Sequence, residues 1–132
     1  MAGTIVADTI QADSTSTLVL KNGVANTPPT IQDNAGTQIG TFCRAWVNFN
    51  GTGTVAIRAS FNVSSITDNS TGSYTVNFTN AMPDTNYSVA KTDNFYSLGD
   101  VKTFNTTNVT VQCYQAIGSV VDTSIVCVSI FR

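Results

Sequence analysis

The residues that could carry out chemistry are sparse, and histidine is missing altogether. The chain therefore lacks the usual general base of a serine or cysteine triad and the commonest zinc ligand. Its three cysteines, Cys43, Cys113 and Cys127, form no CxxC pair, and all lie inside strand-like runs. A cysteine without a histidine partner is not an activated nucleophile. We expect three buried thiols acting as small apolar side chains, with a disulfide between two of them as the alternative in an oxidising compartment.

The acidic residues give no better site, because all eight are aspartates and none is a glutamate. The close pairs are Asp8 with Asp13 and Asp93 with Asp100, each among turn residues where a solvated carboxylate is expected. The glycine-containing segment 50–53 is typical of a hairpin turn and lacks the helix that follows a phosphate-binding loop. No EF-hand spacing occurs, which leaves a calcium site built from Asp and Asn loops as the open alternative. We predict a protein that is not an enzyme, with no catalytic residue, cofactor or metal site.

The composition indicates a neutral polar surface. Charged residues make up 11% of the chain, against about 25% in an average globular domain. A net charge of −2 without a cluster of Lys and Arg argues against nucleic-acid binding. No apolar run reaches the ~20 residues that span a bilayer, and the N-terminus has no signal-peptide pattern. We therefore expect no membrane insertion, synthesis in a reducing cytoplasm, and a role within a multimer or an assembled particle.

The elements that must position any site are β-strands. Val, Thr, Asn and Ser dominate, whereas Glu, Leu, Lys and Arg, which favour helices, are scarce. Between 42 and 80, four short segments alternate between apolar and polar residues and are separated by clusters of Asn, Asp, Ser and Gly. This pattern predicts two consecutive antiparallel hairpins. The predicted strands are 42–49, 54–60, 61–66 and 74–78.

The first of these strands has two different faces. Its core-facing side is expected to consist of Cys43, Ala45, Val47 and Phe49. Arg44 and Trp46 fall on the opposite side. Because tryptophan is rarely left bare, we expect the preceding linker or another subunit to cover Trp46. Trp46 and Arg44 are therefore candidates for an interaction surface.

Later strands are predicted from the same alternation. The core face is expected to continue through Val55, Ile57, Ala59, Phe61, Val63 and Ile66, and then through Tyr74, Val76 and Phe78. A slip in the alternation at Ser64 and Ser65 indicates a β-bulge. Further strands are expected at 87–91, 109–113 and 123–131. The last is apolar on both faces, which is typical of a central strand or of a strand with a subunit on its outer side.

The segment 92–108 is the least periodic part of the domain and is predicted to be a long loop. Its Phe95 and Tyr96 either tuck against the domain or offer a binding surface. Seven or so short strands joined by tight turns predict an all-β fold over 41–132, an antiparallel, jelly-roll-like β-sandwich.

The first forty residues divide into an N-terminal β arm at 1–22 and an extended linker at 23–40. The arm has the pattern of two thinly apolar strands, and an isolated two-stranded hairpin is marginal in water. We expect its apolar residues to pack on a neighbouring copy, with docking on its own domain as the alternative. These arm residues are Ile5, Val6, Ile10, Leu18 and Leu20. In the linker, Pro28-Pro29 favours extended chain and 33–36 has the composition of a turn.

Four sequence runs carry a resemblance to a known class of proteins. They are CRAWVNFNGTGTVAIRAS at 43–60, NVSSITDN at 62–69, GSYTVNF at 72–78 and AMPDTNY at 81–87. Together they resemble a module of tailed-bacteriophage virion proteins, including those of cyanophages, that is usually labelled tail fibre. The segment 5–40, with NTPPTI at 26–31, is similar to the segment that often precedes this module.

The resemblance implies a virion structural protein with no catalytic residues, made in the cytoplasm of the host bacterium. A chain that holds only arm, linker and module suits a capsid decoration (cement) protein, commonly a homotrimer. Its expected partners are other copies of itself and the major capsid protein or tail and fibre proteins. The alternative is a receptor- or glycan-binding tip of a tail fibre, with Phe95 and Tyr96 stacking on the sugars of a host surface glycan.

Overall fold

A computed structural model describes residues 19–20, 29–95, 100–116 and 118–132, and among them every regular element is a β-strand. In chain order the strands are β1 (Ile31–Gln32), β2 (Gln38–Gly40), β3 (Cys43–Asn50), β4 (Ala56–Phe61), β5 (Val63–Ser70), β6 (Ser73–Phe78), β7 (Ser88–Asp93), β8 (Asp100–Phe104), β9 (Asn108–Gln112), β10 (Tyr114–Ala116), β11 (Ser119–Val120) and β12 (Val126–Phe131).

Eight of the strands form two four-stranded antiparallel sheets that pack face to face. The first sheet has the order β4-β3-β12-β7 and the second the order β5-β6-β9-β8. Two short hairpins, β1-β2 and β10-β11, lie outside these sheets. The arrangement confirms the predicted all-β antiparallel sandwich. It also confirms the predicted central position of the last strand, because β12 lies between β3 and β7.

Both predicted hairpins are present, as β3-β4 and β5-β6. The predicted bulge is also present, since the pairing of β5 with β6 skips Ser64. The prediction ended β5 at residue 66, whereas the strand continues to Ser70 because its polar residues still pair with β6. Gly72 closes this hairpin with a φ of 66°, a backbone conformation that glycine adopts without a steric penalty.

The core lies between the sheets and includes many, but not all, of the side chains that alternation assigned to it. Ala45, Val47 and Phe49 of β3 are fully buried, while Cys43 at the start of the strand is only half-buried. The other buried apolar residues are Val63, Tyr74, Val76, Phe78, Met82, Tyr87, Val109, Val111, Cys113, Val126, Val128 and Ile130. Phe49 meets Tyr74 across the two sheets in an edge-to-face contact with ring centroids 5.2 Å apart.

Two residues predicted to face the core, Ala59 and Phe61, are exposed. The cause is a bulge in β4: Phe49 pairs with Ile57 and Asn48 with Ala59, so that Arg58 is an extra residue in the ladder. An extra residue reverses the alternation beyond it. Ile57 therefore packs against the core, whereas the later odd-numbered positions point to the outside of the sheet.

The segment predicted to be a long loop contains the edge strand β8. Val101 pairs with Val111 and Phe104 with Val109, with a register shift after Val101. Val101 and Phe104, the two apolar residues on the core side of β8, are therefore three positions apart in the sequence instead of two. A search for strict period-two alternation misses a strand with such a bulge.

The described part of the linker folds as the small hairpin β1-β2. Its turn lies at the predicted place: the Asp33 carboxylate accepts hydrogen bonds from the amides of Ala35 and Thr37, both at 2.9 Å. Gly36 follows with a φ of 84°. Ile31 and Ile39 of this hairpin remain exposed, so the described linker does not bury its own apolar residues.

The cysteines are free thiols. Cys113 is fully buried, as predicted, and burial raises the pKa of its thiol, with hydrogen bonding to Lys91 opposing the rise. Cys43 and Cys127 are half-buried. Cys43 is the first residue of β3, at the end of the first sheet, and Cys127 lies on the outer side of that sheet. A buried thiol with a raised pKa is chemically inert, which agrees with a structural role for Cys113.

A buried ion pair lies between the sheets on the inner side of β7. The Lys91 ammonium binds the Asp93 carboxylate, and their side chains are 4% and 0% exposed. Burial alone raises the Asp93 pKa, but hydrogen bonds from Lys91 and the Phe95 amide outweigh it and hold the pKa below its ordinary value. The pair lets two charged residues occupy core positions of a strand.

Replacing Lys91 by Met is expected to lower the free energy of unfolding by about 3–5 kcal/mol, because it leaves the Asp93 carboxylate buried without the ammonium group that neutralises its charge. The double variant Lys91→Met/Asp93→Leu is expected to recover most of this loss, since neither charge remains. Urea unfolding at neutral pH measures both. Equal destabilisation of the single and double variants would contradict this account.

The same pair predicts an acid dependence of stability. A carboxyl whose folded pKa is depressed stabilises the protein above its unfolded pKa, and that stabilisation is lost as the pH falls towards the folded pKa. Wild-type protein should therefore lose stability below about pH 4, the ordinary range of aspartate. Lys91→Met/Asp93→Leu should lose less over the same interval, measured by urea unfolding at a series of pH values.

Candidate interaction surface

The side of the first sheet that faces away from the core is called here the outer face. The strand register places its side chains in rows that cross the four strands in the order β4, β3, β12 and β7. One row consists of Phe61, Trp46, Ser129 and Ala90, and the next of Ala59, Asn48, Cys127 and Thr92. In these two rows the aromatic residues lie on β4 and β3 and small residues lie on β12 and β7, and Phe131 of β12 follows in the next row.

The aromatic half is formed by Trp46 and Phe61, which pair directly across β3 and β4 and are called here the ridge. Trp46 is 39% exposed and Phe61 54% exposed. Such side chains contribute most when they are covered by another surface. Trp46 is therefore only partly covered within the described residues. The predicted cover by the linker or by another subunit stays a prediction.

The other half, called here the shelf, is formed by Ser88, Ala90, Cys127 and Ser129 on β7 and β12. These side chains are small, so the shelf lies lower than the ridge beside it. Ser88 and Ala90 are exposed, while Cys127 and Ser129 are half-buried. Phe131, which pairs with Ser88 and is partly exposed, ends the shelf at the C-terminal end of β12.

The outer face carries almost no charge. The four strands of the first sheet contain four charged residues: Arg44, Arg58, Lys91 and Asp93. Lys91 and Asp93 point inward and bind each other. The guanidinium of Arg58 donates to the Asn48 side-chain oxygen (3.2 Å) and the Ser124 carbonyl (2.5 Å). No carboxylate of these strands faces outward.

The second sheet presents a different surface. Thr67, Thr75, Thr110 and Thr103 lie in register across its four strands. The hydroxyls of Thr75 and Thr110 are 3.1 Å apart, and the Asn77 amide donates to the Thr67 hydroxyl at 3.0 Å. This face is polar and its groups bond one another, as expected for a face in contact with water. The two sides of the sandwich therefore differ in chemistry.

Arg44, predicted to act with Trp46, belongs to a separate feature. The pairing of β3 with β12 shifts register between Ala45 and Cys43, which makes Arg44 the extra residue of a second bulge. It lines a cleft of about 220 Å³ between the β1-β2 hairpin and the sandwich. The other lining residues are Pro29, Thr30, Gln38, Thr41, Pro83 and Arg132. The Arg132 guanidinium binds Asp84 through two hydrogen bonds and lowers the pKa of that carboxyl.

Phe95, predicted to offer a binding surface with Tyr96, lies just beyond the end of β7. It is 40% exposed, and its amide donates a hydrogen bond to the Asp93 carboxylate at 2.9 Å. Trp46 lies on β3, which β12 separates from β7. Tyr96 lies outside the described residues, so a surface formed by Phe95 and Tyr96 stays a prediction.

Of the five predicted arm residues, Leu20 is described and is 61% exposed. Ile5, Val6, Ile10 and Leu18 lie outside the described residues. Sequence reasoning missed Phe61 as a surface residue, because it extended the alternation through β4 without the bulge at Arg58. The sequence carries no local signal for this bulge, because apolar residues occupy every odd position from Val55 to Phe61, as in a regular strand.

Other classes of site were sought in the described part of the chain. Residues 19–20, 29–95, 100–116 and 118–132 contain no group of three or more His, Cys, Asp or Glu able to hold a metal ion. They also contain no helix with the length and hydropathy to cross a membrane. No protein-family model, curated protein or solved structure matches the chain.

The partial exposure of the ridge predicts that it contributes less to folding of the single chain than a core side chain does. Because 39% of Trp46 and 54% of Phe61 is exposed, Trp46→Ser and Phe61→Ser should each lower the free energy of unfolding of the monomer by about 1–2 kcal/mol. The matched core substitution Phe49→Ala should cost about 3–5 kcal/mol, because Phe49 is fully buried. Urea unfolding at high dilution compares them. A loss for Phe61→Ser as large as for Phe49→Ala would show that Phe61 belongs to the core.

Proposed function

We propose that this protein is a non-enzymatic structural protein of a tailed-bacteriophage virion, a homotrimeric capsid decoration protein that acts through packing between subunits. The observation that carries the proposal is the exposed, nearly uncharged outer face with its aromatic ridge. The virion setting rests on the resemblance of the runs between 43 and 87 to modules of tailed-phage virion proteins.

The chemistry of the outer face favours contact with protein. Charged residues are depleted at the centre of protein–protein interfaces, and Trp and Phe are enriched there. Trp46 and Phe61 lie near the middle row of the outer face. The charged side chains of Lys91 and Asp93, on the same sheet, point inward and are buried in the core. An exposed apolar patch of this kind on a folded domain marks an interaction site.

The arm supplies a second means of joining subunits. Leu20 and the neighbouring Val19 are both mostly exposed, so binding to another protein surface would remove their apolar area from water. Exchange of arms between copies, or docking of arms on the major capsid protein, would bury them. The partners are thus other copies of this chain and the shell on which they sit.

Light scattering on purified protein tests the homotrimer. The wild type should have three times the monomer mass at micromolar concentration, and Ala90→Asp should shift it towards the monomer by placing a carboxylate on the shelf. The matched control Thr103→Asp lies on the exposed edge strand of the second sheet and should leave the trimer intact. A wild type that is monomeric throughout, or equal dissociation by both variants, would overturn the proposal.

The virion setting has its own test, electron microscopy of intact particles with the protein located in the density. Decoration of the shell is the expected outcome. Retention of wild-type protein on host-cell polysaccharide, with loss of retention in Phe95→Ala, would instead indicate a receptor-binding tip and replace the decoration role.

A further inference from the structure

We infer that the outer face joins copies of this chain with the ridge of one copy seated on the shelf of the next. The inference rests on the proposed function and names the surface and the pairing by which the copies meet. It is carried by three properties of the outer face: the division into a bulky and a small half, the distribution of charge, and the area.

The two halves complement each other in shape. Phe61 and Trp46 stand on β4 and β3, and the small side chains Ser129 and Ala90 continue the same row on β12 and β7. Two copies of such a face cannot pack well with ridge against ridge, because the aromatic side chains would hold the remaining strands apart. Ridge on shelf fills the space beside the aromatic rings, as close packing requires.

Rotation about a symmetry axis brings the two halves together. In a threefold ring, the β4 side of each copy meets the β7 side of the next, so every ridge finds a shelf. The row that contains Phe61 also contains Ala90, so the contact joins positions of equal height on the sheet. A twofold pair satisfies the same complementarity but closes with two copies.

Charge favours a copy of the same chain as the occupant. A face that meets itself brings like charges together if it carries many of them, which costs free energy. The outer face carries no carboxylate or ammonium group, and the Arg58 guanidinium is already bonded to Asn48 and Ser124. A partner selected by opposite charge would find little to recognise here.

The area of the contact depends on how the copies are arranged. Four strands about 4.8 Å apart, each with about six residues at about 3.4 Å, cover about 400 Å² of flat face. A twofold pair joins two whole faces, about 800 Å² before side chains corrugate them, and approaches the ~1,000 Å² at which specific protein interfaces begin, whereas each contact of a threefold ring joins a ridge half to a shelf half, about 400 Å². The small shelf residues let the ridge approach closely enough to use this area.

Cysteine cross-linking tests the pairing. In a Cys127→Ser background, Phe61→Cys with Ala90→Cys should form disulfides between copies on oxidation, and the products on a non-reducing denaturing gel should end at the trimer. Each single substitution should give no ladder, because residue 61 of one copy meets residue 90 of another. The matched control pair Thr67→Cys and Thr103→Cys occupies the equivalent edge strands of the second sheet and should give none.

Ala59→Cys with Thr92→Cys, one row away on the same two strands, repeats the test if the first pair does not fold. A ladder that ends at the dimer would support the ridge-on-shelf contact and overturn the homotrimer. An oligomer by light scattering in which neither pair cross-links, or in which the control pair cross-links equally, would overturn the contact while leaving the homotrimer. A wild type that is monomeric by light scattering would overturn both.

Discussion

The register between β3 and β4 depends on one extra residue, Arg58, and the surface of the first sheet follows from it. On one side of this bulge Ile57 points into the core opposite Phe49, and on the other side Phe61 points outward beside Trp46. The guanidinium of Arg58 donates hydrogen bonds to the Asn48 side chain on β3 and to the Ser124 carbonyl just before β12. These bonds attach the bulge to β3 and to the segment that leads into β12. A regular β4 would direct Phe61 inward and leave Trp46 without an aromatic neighbour.

Hydrogen bonds in the interior join the two sheets at the end where β3 finishes. The Tyr74 hydroxyl lies 2.8 Å from both the Gly51 carbonyl and Asp122, and Asp122 also accepts the Gly72 amide. Three connections between strands are thereby tied together. A side chain at Gly51 would meet the Tyr74 hydroxyl at 2.6 Å, so the turn after β3 has room for glycine only. The ridge is one of several partly exposed apolar features of the described sandwich, which also include Ile125 and Phe131.

The two outer sides of the sandwich explain why a chain so poor in charge can carry both a solvated and a contact surface. On the second sheet, threonine and asparagine side chains bond one another and water. On the first, full burial of a large apolar side chain contributes about 1.5–3 kcal/mol, and the exposed fractions of Trp46 and Phe61, 39% and 54%, leave roughly half of that for association to gain at each residue. Against this gain stands the loss of translational and rotational freedom on binding, which is why close ridge-on-shelf packing matters.

Alternation in the sequence predicted the sandwich, the β3-β4 and β5-β6 hairpins and the core side of β3, because period-two burial is a local property of a strand. It failed where one residue interrupts the period. The Arg58 bulge put Phe61 and Ala59 on the wrong side, and the irregularity within β8 hid a strand between Asp100 and Phe104. The prediction of a solvated carboxylate at Asp93 was wrong, because its side chain is buried against Lys91, and the pairing of two charges inside a core depends on side-chain contacts that composition does not encode.

Trp46 is the single tryptophan of the chain, so its fluorescence reports directly on whether the ridge is covered. Emission spectra and light scattering can be recorded over one dilution series of the wild type, with Ala90→Asp as the dissociated reference. The account predicts that the emission maximum moves to longer wavelength as the oligomer dissociates, with the same midpoint as the fall in mass, and reaches the value of Ala90→Asp. An emission maximum that stays constant while the mass falls to that of the monomer would contradict it.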